Sequence, residues 1–326
     1  MKIFGDFEEY KNKKPLFLTI GFFDGVHLGH QKIIKTLVKK AKSEGYPSAV
    51  ITFSFHPLKL LSYSHGKLLI MPLEQKLNYF KQLGIDYVFV LDFNKHIVAM
   101  QDKEFIENIL AKKLRVEKLY IGEDFRFGKS RRGDVGLLKR EGRKFGFSVT
   151  AVPLMKVGDE IVSSTKIRGL ISEGNFKEIE KFLGRKYSLL GKVTEGRGIS
   201  KDIKFPTANI YFNEILLPPE GIYAGWARIH PVRTHSDVTS ENSPNIKSGL
   251  TSNGASKSAF FVTTEPKRLI EAHVIGLKKN IYHKEVEIIF FKKLRSRVVF
   301  KTRRDAQKQI AEDVERVGEI MKTVIG

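Results

Sequence analysis

The chain has 326 residues, of which 41% are hydrophobic and 29% charged, and its formal net charge is +21. This composition is typical of a folded soluble protein, and the length allows two domains that each bury a core. The chain has no cysteine, and no apolar run is long enough to span a bilayer. Disulfides and membrane spans are therefore excluded. The first residues lack the apolar core of a signal peptide, so we expect a cytoplasmic protein.

The basic excess, 57 Lys and Arg against 36 Asp and Glu, raises the question of nucleic acid binding. Lysines are spread through every segment rather than concentrated on one recognition element, so attraction to anionic substrates explains the charge equally well. The dense basic run at residues 292–304 combines a solvated face with candidate phosphate contacts. We expect small-molecule substrates and no nucleic acid partner.

An apolar strand, a glycine-rich turn and a helix follow one another near the start of the chain. Residues Leu16 to Ile20 are typical of a strand buried on both faces, and the turn after it carries three glycines. From Gln31 onward, apolar residues recur at helical spacing, so His27 and His30 lie in the turn that opens a helix and can face the same way. Free N–H groups at a helix start favour an anion there.

Two histidines near a glycine are often only surface polar residues, but here strand, turn, histidine pair and helix occur in the order that a phosphate site needs. Zinc is disfavoured because no cysteine, third histidine or carboxylate lies at a ligand spacing nearby. Without a nearby nucleophile, the pair favours nucleotidyl transfer by direct displacement, in which imidazoles stabilise charge on the α-phosphate and the leaving pyrophosphate.

Strands and helices continue to alternate through the first half. The predicted elements are, in order, a strand at Ser48 to Phe53, a helix carrying Leu73, Leu77, Phe80 and Leu83, a strand at Tyr87 to Leu91, a helix carrying Phe105, Ile106, Ile109 and Leu110, a strand at Lys118 to Ile121, a helix at Val135 to Phe145 and a strand at Phe147 to Val152. This order predicts a mainly parallel, Rossmann-like α/β sheet covered on both faces. Ligands of such sheets bind at the carboxyl ends of strands, where we expect His27, His56 and the loop after Ile121 to converge.

Two further stretches of the first half suggest ligand contacts. In the loop after Ile121, Phe125 and Phe127 either fill the core beneath a hairpin or form a wall for an aromatic ring, with Arg126 and Lys129 near phosphates. The second stretch, residues 162–168, places hydroxyls and then a lysine and an arginine at a predicted helix start. An ordinary helix cap is the alternative, but a triphosphate site also needs these cations.

The pattern changes after residue 185, where helical periodicity stops. Short β-rich runs begin there, at Leu189 to Thr194, Ile222 to Ile229, Ala259 to Thr263, Ile270 to Ile275 and Val286 to Phe291. Such runs predict a small antiparallel β-barrel, and an apolar stripe after Asp305 predicts a closing amphipathic helix that packs on it. We therefore predict two domains, residues 1–183 and residues 184–326.

The predicted barrel domain contains two groups of candidate functional residues. Thr207 and Asn209 lie two residues apart on an extended segment, so their oxygens point to one side and can coordinate Mg²⁺ or bind a phosphate. The alternative is a plain turn followed by a strand. Glu271 is a strand carboxylate, and its alternative role is a salt bridge with His273 on the same face.

Several motifs, in this order, resemble the bacterial bifunctional riboflavin kinase/FMN adenylyltransferase family, also called FAD synthetase. They are GFFDGVHLGHQ, TFSFHP, IGEDFRFGKSRRGD, SSTKIRGLISEGNFKE, FLGRKY and PTAN. The resemblance covers nearly the whole chain. It implies that the first half transfers AMP from ATP to FMN with Mg²⁺, giving FAD and pyrophosphate, and that the second half phosphorylates riboflavin to FMN.

The resemblance also implies roles for individual residues. In the first half, His27 and His30 contact the ATP phosphates; the other implied contacts are Gly21, Phe22, Phe23, Asp24 and Gly29 at the nucleotide, Ser164, Thr165 and Arg168 at phosphates, and Asp124, Phe125, Arg126 and Phe127 beside the flavin. In the second half, Thr207 and Asn209 match the metal and phosphate site, and Glu271 matches the general base that takes a proton from the ribityl hydroxyl.

The chain departs from the family pattern in three places. Residues 54–57 read Ser-Phe-His-Pro instead of Asp-Pro-His-Pro, residues 198–204 replace glycines with side chains, and residues 230–257 form a polar stretch where an Asn-Ile-Gly…Pro-Thr segment is usual. Three hypotheses follow. The chain is a two-step flavin enzyme, an adenylyltransferase with a degenerate kinase module, or a basic nucleic-acid-binding regulatory protein on a nucleotidyltransferase scaffold.

Overall fold

A computed structural model describes residues 1–11, 14–54, 68–92, 100–128, 132–195, 207–230, 255–264, 267–277 and 281–323. These residues form two compact units. The first unit takes the described residues of Met1–Lys67 and Lys76–Ser163, and the second takes those of Leu68–Gln75, Ser164–Thr234 and Lys247–Gly326. Each unit has its own sheet, so each is described separately.

The first unit is built on a six-stranded sheet with neighbours in the order β1-β4-β3-β2-β5-β6. The strands are β1 (Lys2–Phe4), β2 (Leu16–Ile20), β3 (Ser48–Phe53), β4 (Tyr87–Leu91), β5 (Val116–Gly122) and β6 (Ser148–Val152). All neighbours pair in parallel. This confirms the predicted parallel α/β fold. Because helices cover both faces, β2 is buried along its whole length and β3 at all but its last residue.

The crossover helices of the first unit lie on opposite faces of the sheet. They are α1 (Leu28–Glu44), α2 (Leu73–Gln82, whose residues from Lys76 belong to this unit), a π-helix (Phe105–Lys113) and α3 (Val135–Phe145). The π-helix and α3 share one core cluster with the inward side chains of β2 to β5, including Leu18, Ile51 and Leu119. A two-stranded hairpin, β7 (Lys156–Val157) and β8 (Glu160–Ile161), follows β6.

Two features of the first unit differ from the sequence prediction. The three-residue strand β1 was not predicted, and it pairs with β4 at the edge of the sheet. The helix predicted around Phe105 is a π-helix, which follows one helical turn at Asp102–Glu104 and ends with the Leu114 N–H donating to the Ile109 carbonyl at 2.9 Å. Apolar spacing indicates a helix here but does not distinguish the α from the π form.

The second unit contains a closed β-barrel, as predicted, and its strand order is β10-β13-β12-β11-β14-β9. Its strands are β9 (Ser188–Thr194), β10 (Ala208–Tyr211), β11 (Gly221–Ile229), β12 (Ser256–Thr263), β13 (Leu269–Val274) and β14 (Glu285–Arg295), and they pair antiparallel. Closure of the barrel leaves no strand at a free edge.

Three helices belong to the second unit: α4 (Ser164–Glu173), α5 (Phe176–Leu183) and α6 (Arg303–Thr323). Val317 and Met321 of α6 are fully buried against Ala224, Trp226 and Ala259 of the barrel, as the apolar stripe predicted. Phe176 of α5 stacks on Phe290 with ring centroids 5.1 Å apart. No helix within the described ranges has both the length and the apolar character that crossing a bilayer requires.

Candidate active sites

The first candidate site lies at the carboxyl end of the parallel sheet, between β2 and β5. From β2 the chain crosses to β3 on one side, whereas from β5 it crosses to β6 on the other side, so the strand order reverses between these neighbours. Such a reversal opens a crevice in which α/β proteins bind ligands. The turn after β2 and the loop after β5 both enter this crevice. His56, expected there too, lies outside the described residues.

The turn after β2 is tightly folded. Phe23 and Val26 adopt positive φ angles of 54° and 37°, which are unusual for residues with a side chain, and Gly25 has φ of 83°. The Val26 N–H donates to the Phe23 carbonyl at 3.1 Å, and the Gly21 N–H donates to the carbonyl of Ile51 on β3 at 3.0 Å. Backbone strain of this kind persists only where surrounding contacts enforce it, and it is concentrated at functional sites.

His27 and His30 lie at the start of α1, as the sequence predicted, and their rings stack on each other. Their ring centroids are 3.5 Å apart, with planes 18° from parallel. His27 is the N-cap of α1, and its Nδ1 accepts a hydrogen bond from the His30 backbone N–H at 3.3 Å. Because Nδ1 is the acceptor, a neutral His27 carries its proton on Nε2 and can donate from that atom.

Gly29 makes room for this pair. A Cβ atom on Gly29 would lie 3.2 Å from Cε1 of His27, so any side chain would press on the ring that caps the helix. The carbonyl oxygen of Val162 lies 3.9 Å from the same position. Val162 belongs to this unit and precedes α4 by two residues in the chain.

Lys76 is a site residue that sequence reasoning missed. Its side chain reaches from α2 to the turn after β2, and Nζ donates to the Phe22 carbonyl at 3.1 Å, to Thr52 Oγ1 at 3.0 Å and to the Phe53 carbonyl at 3.1 Å. Burial lowers the pKa of Lys76 to about 8, and the charge of Asp24 opposes that shift. In the sequence, the only sign of this role is that Lys76 lies within the apolar stripe of a predicted helix, near Leu77 and Phe80.

The loop after β5 supports the packing interpretation for its two phenylalanines. Phe125 and Phe127 stack with centroids 5.8 Å apart and are half-buried against the core cluster of the sheet. Arg126 and Asp124 are exposed, and Arg126 forms an ion pair with Asp134 at 3.1 Å. Lys129 lies outside the described residues. The flavin contacts expected of this loop stay a prediction.

The hydroxyl and guanidinium cluster lies on α4, in the second unit. Ser164 is the first residue of the helix, Thr165 is exposed, and Nε of Arg168 donates to the carbonyl of Leu68 at 2.9 Å. The predicted helix start is confirmed. That these residues bind the same triphosphate as the histidine pair of the first unit stays a prediction.

The second candidate site is a row of registered residues across four barrel strands. Asn209 of β10 is opposite Thr194 of β9 on one side and opposite Glu271 of β13 on the other, and Glu271 is in turn opposite Phe261 of β12. Directly opposed residues of antiparallel strands project to the same face, so these four side chains are neighbours. Thr194 Oγ1 donates to the Asn209 carbonyl at 3.2 Å, which holds the first two strands together.

Glu271 is a partly buried carboxylate on β13. It alternates along β13 with the buried residues Ile270 and Ala272, and burial raises its pKa above the usual range of a glutamate. Within the described part of the chain, Glu271 makes no ion pair, so the predicted alternative of a salt bridge with His273 is not observed. A partly desolvated carboxylate accepts a proton more readily.

Asn209 offers an amide oxygen opposite Glu271, and Thr207, two residues earlier in the chain, offers a hydroxyl. Asn209 is buried and Thr207 half-buried, and Thr207 precedes β10 by one residue. Hard oxygen ligands of this kind suit Mg²⁺, which usually keeps several waters and binds substrate phosphates as well. The described side chains contain no cluster of three or more His, Asp and Glu that could enclose a metal ion by itself. The donor set therefore fits a Mg²⁺ ion that arrives with a nucleotide.

Comparison with known proteins assigns both units to one family. A family model described as FAD synthetase matches residues 9–166, and one described as riboflavin kinase matches residues 183–321. The bifunctional riboflavin kinase/FMN adenylyltransferase of Buchnera aphidicola subsp. Schizaphis graminum is 31% identical over 301 residues, covering 92% of each chain. The Escherichia coli K12 protein of the same name is 30% identical over 296 residues, covering 91% of this chain and 90% of its own.

The chain belongs to the bifunctional riboflavin kinase/FMN adenylyltransferase family. This confirms the resemblance that the sequence motifs indicated. A crystal structure of the macrolide-efflux protein from Streptococcus pneumoniae also matches, with a TM-score of 0.75, 23% identity and coverage of 96% of this chain and 97% of its own. At that identity the likeness concerns the fold alone.

Both candidate sites fall inside the matched ranges of the riboflavin kinase/FMN adenylyltransferase family. The histidine pair lies within the FAD synthetase match, and Asn209 and Glu271 lie within the riboflavin kinase match. Arg168 lies two residues beyond the end of the first match, which is at residue 166. Family membership favours the enzymatic hypotheses over a nucleic-acid-binding role.

Proposed function

We propose that this chain makes FAD from riboflavin in two ATP-dependent steps, each at its own site. The barrel unit phosphorylates riboflavin to FMN, and the parallel-sheet unit transfers AMP from ATP to FMN and releases pyrophosphate. The observation that carries the proposal is the stacked pair of His27 and His30 at the N-terminus of α1, at the strand-order reversal of the sheet. Family membership supports the same pair of reactions.

In the adenylylation step, a phosphate oxygen of FMN attacks the α-phosphorus of ATP, and the bond from that phosphorus to pyrophosphate breaks. Negative charge grows on the leaving group and on the non-bridging oxygens, where the N–H groups at the start of α1 and Nε2–H of His27 can donate. No covalent enzyme intermediate is needed because the two substrates react directly.

In the kinase step, the terminal ribityl hydroxyl of riboflavin attacks the γ-phosphorus of ATP, and ADP leaves. Glu271 accepts the hydroxyl proton as the new P–O bond forms, and its raised pKa makes it a better base than an exposed carboxylate. Thr207 and Asn209 would hold Mg²⁺ beside it. When bound, Mg²⁺ neutralises charge on the phosphates of ATP.

A product assay with two variants tests this proposal. Wild type given riboflavin, ATP and Mg²⁺ should form FMN and then FAD. His27→Ala should stop at FMN, whereas Glu271→Gln should form FMN from riboflavin about 10²-fold more slowly or worse but still convert added FMN to FAD. Each variant is the control for the other, because two separate sites lose their reactions independently. A folded wild-type protein that forms neither product would contradict the proposal.

The same assay decides the main alternative, an adenylyltransferase whose kinase module is degenerate. FAD formed only from added FMN, and never from riboflavin, would support that alternative. The altered loop at residues 198–204 lies outside the described residues. So do residues 231–254, which are most of the polar stretch. The small-molecule substrates follow from the proposed reactions, and the cytoplasmic location stays a prediction of the sequence.

A further inference from the structure

Lys76 is a buried cation that the two proposed reactions leave unexplained. It is only 4% exposed, on a helix whose other buried residues include the polar Gln75 and the apolar Phe80. Its three hydrogen bonds end on the Phe22 carbonyl, Thr52 Oγ1 and the Phe53 carbonyl, at 3.0 to 3.1 Å. The ring of Phe22 lies 4.6 Å from Nζ, so an aromatic face covers the ammonium as well.

The number of donors matches the number of acceptors. An ammonium group has three N–H donors and no acceptor, and here each donor meets one oxygen. Burying a charge is costly unless it is fully hydrogen-bonded, and a methionine would fill the same volume in an apolar stripe without that cost. A lysine in this place therefore calls for a role that an apolar residue cannot fill.

These hydrogen bonds fix the turn that precedes the histidine pair. The Phe22 carbonyl accepts from Lys76 and also from Thr52 Oγ1, at 3.1 Å each. The next residue, Phe23, has a φ of 54°, and its ring meets the ring of His30 edge-on with centroids 5.1 Å apart. The chain of contacts thus runs from the ammonium through the backbone at Phe22 and the ring of Phe23 to an imidazole.

We propose that Lys76 is a positioning residue for adenylyl transfer, which holds the turn at Phe22 and Phe23 so that the ring of His30 keeps its place beside His27. Lys76 does not touch the nucleotide in this role, because its three donors are already used within the protein. The proposal rests on the adenylyltransferase activity proposed above, and it adds a residue that acts on the site through the turn at Phe22 and Phe23.

The role depends on the charge of the ammonium. Asp24, on the turn and 4% exposed, is the charged residue among those described whose field acts on Lys76, while β3 presents the neutral Thr52 and Phe53. A neutral amine has two N–H groups for three oxygens, so the turn loses one hydrogen bond when Lys76 deprotonates. Because the pKa of Lys76 is about 8, this loss falls within the pH range of an ordinary assay.

The test uses full-length protein with FMN, ATP and Mg²⁺, assayed between about pH 6 and pH 10 around the shifted lysine pKa. Wild type should lose kcat above about pH 8. Lys76→Met should lower kcat at neutral pH by about tenfold or more, with little change in the KM for ATP, because misplaced catalytic groups act on the transition state. Lys76→Arg stays charged and should keep activity without the alkaline decline. Lys81→Met, on the same helix, is the matched control and should behave as wild type.

An NMR titration of the His30 ring gives a second measurement, which does not depend on catalytic activity and uses wild type as well as the variant. In wild type, the ring signals should show a step near pH 8 as Lys76 loses its proton, and that step should be absent in Lys76→Met. Unchanged kcat and an unchanged alkaline limb in a folded Lys76→Met would overturn the inference. If wild type makes no FAD at all, the proposed function fails instead, and the His30 titration still decides whether Lys76 controls the ring.

Discussion

At the scale of single residues, burial of Glu271 raises its pKa, which favours its proposed role as a base but lowers the stability of the folded protein at neutral pH. Burial raises its pKa, so the folded protein penalises the carboxylate form that a base must have. The folded pKa exceeds the unfolded one, so stabilisation from this group is full at acid pH and is lost as the pH rises through the folded pKa. At neutral pH the charged Glu271 therefore lowers the free energy of unfolding.

The raised pKa of Glu271 predicts opposite effects of Glu271→Gln on activity and stability. The variant should lose about 10²-fold or more in the rate of FMN formation, because the proton acceptor is gone. It should also unfold at a higher temperature than wild type at neutral pH, and the gain should disappear in acid. Thermal unfolding at several pH values measures this, and Glu315→Gln, exposed on α6, should change neither quantity. If the rate of FMN formation by wild type fell in acid with a midpoint at or below the usual pKa of a glutamate, the raised pKa of Glu271 would be contradicted.

How far the site could be read from the sequence depends on the range of each contact. His27 and His30 were found because their three-residue spacing and the helix start are local, and Glu271 and Asn209 because motifs mark them. Lys76 was missed because its partners at Phe22 and Thr52 lie more than twenty residues away in the chain, and only the parallel pairing of β2 with β3 brings them together.

At the scale of elements, the proposed phosphate site at the N-terminus of α1 requires a residue without a side chain at position 29, beside the His27 ring. Gly29→Ala would place a methyl group 3.2 Å from the His27 ring, which cannot yield freely because it stacks on His30. We predict that this variant lowers the rate of FMN adenylylation about tenfold or more while the thermal unfolding temperature barely changes, since alanine favours a helix over glycine.

The matched control for Gly29 is Gly318→Ala, in the middle of α6. A Cβ at Gly318 meets nothing within 4 Å among the described atoms, so alanine should add about 0.5 to 1 kcal/mol of stability and leave adenylylation unchanged. Measured kcat for FAD formation and unfolding curves for both variants separate the two effects. Full adenylylation activity in Gly29→Ala would show that the ring of His27 tolerates displacement.

The elements themselves were largely predictable, and the exceptions have physical reasons. The strands at Leu16–Ile20, Ser48–Phe53 and Tyr87–Leu91 have the predicted bounds, since strands buried on both faces are continuous apolar runs. The three residues of β1 are too few to show a pattern. The barrel strands extend beyond their predicted cores, as at Glu285–Arg295, because their ends carry charged residues that a hydrophobic pattern does not register.

At the scale of the whole molecule, helices α4 and α5 belong with the barrel although their sequence continues the helical pattern of the first half. Phe176 explains why this matters. Its ring stacks on Tyr187 and Phe290 and meets Tyr223 edge-on, with centroid distances of 5.1 to 6.2 Å. Periodicity shows that a helix has an apolar face but not which core that face enters. The boundary predicted between residues 183 and 184 stays a prediction, and a barrel fragment cut there would lack Phe176.

The single tryptophan of the chain makes the stability of the barrel unit measurable by itself. Trp226 lies on β11 and is buried against α6, so its fluorescence reports on the second unit.

Phe176→Ala should leave a cavity among the stacked rings and lower the free energy of unfolding of the second unit by about 3 to 5 kcal/mol. The fluorescence transition and the loss of FMN formation should then move together to lower temperature. Leu138→Ala, in the core of the first unit, is the matched control and should spare the Trp226 transition. If Leu138→Ala moved that transition as far as Phe176→Ala does, the two units would unfold as one cooperative body.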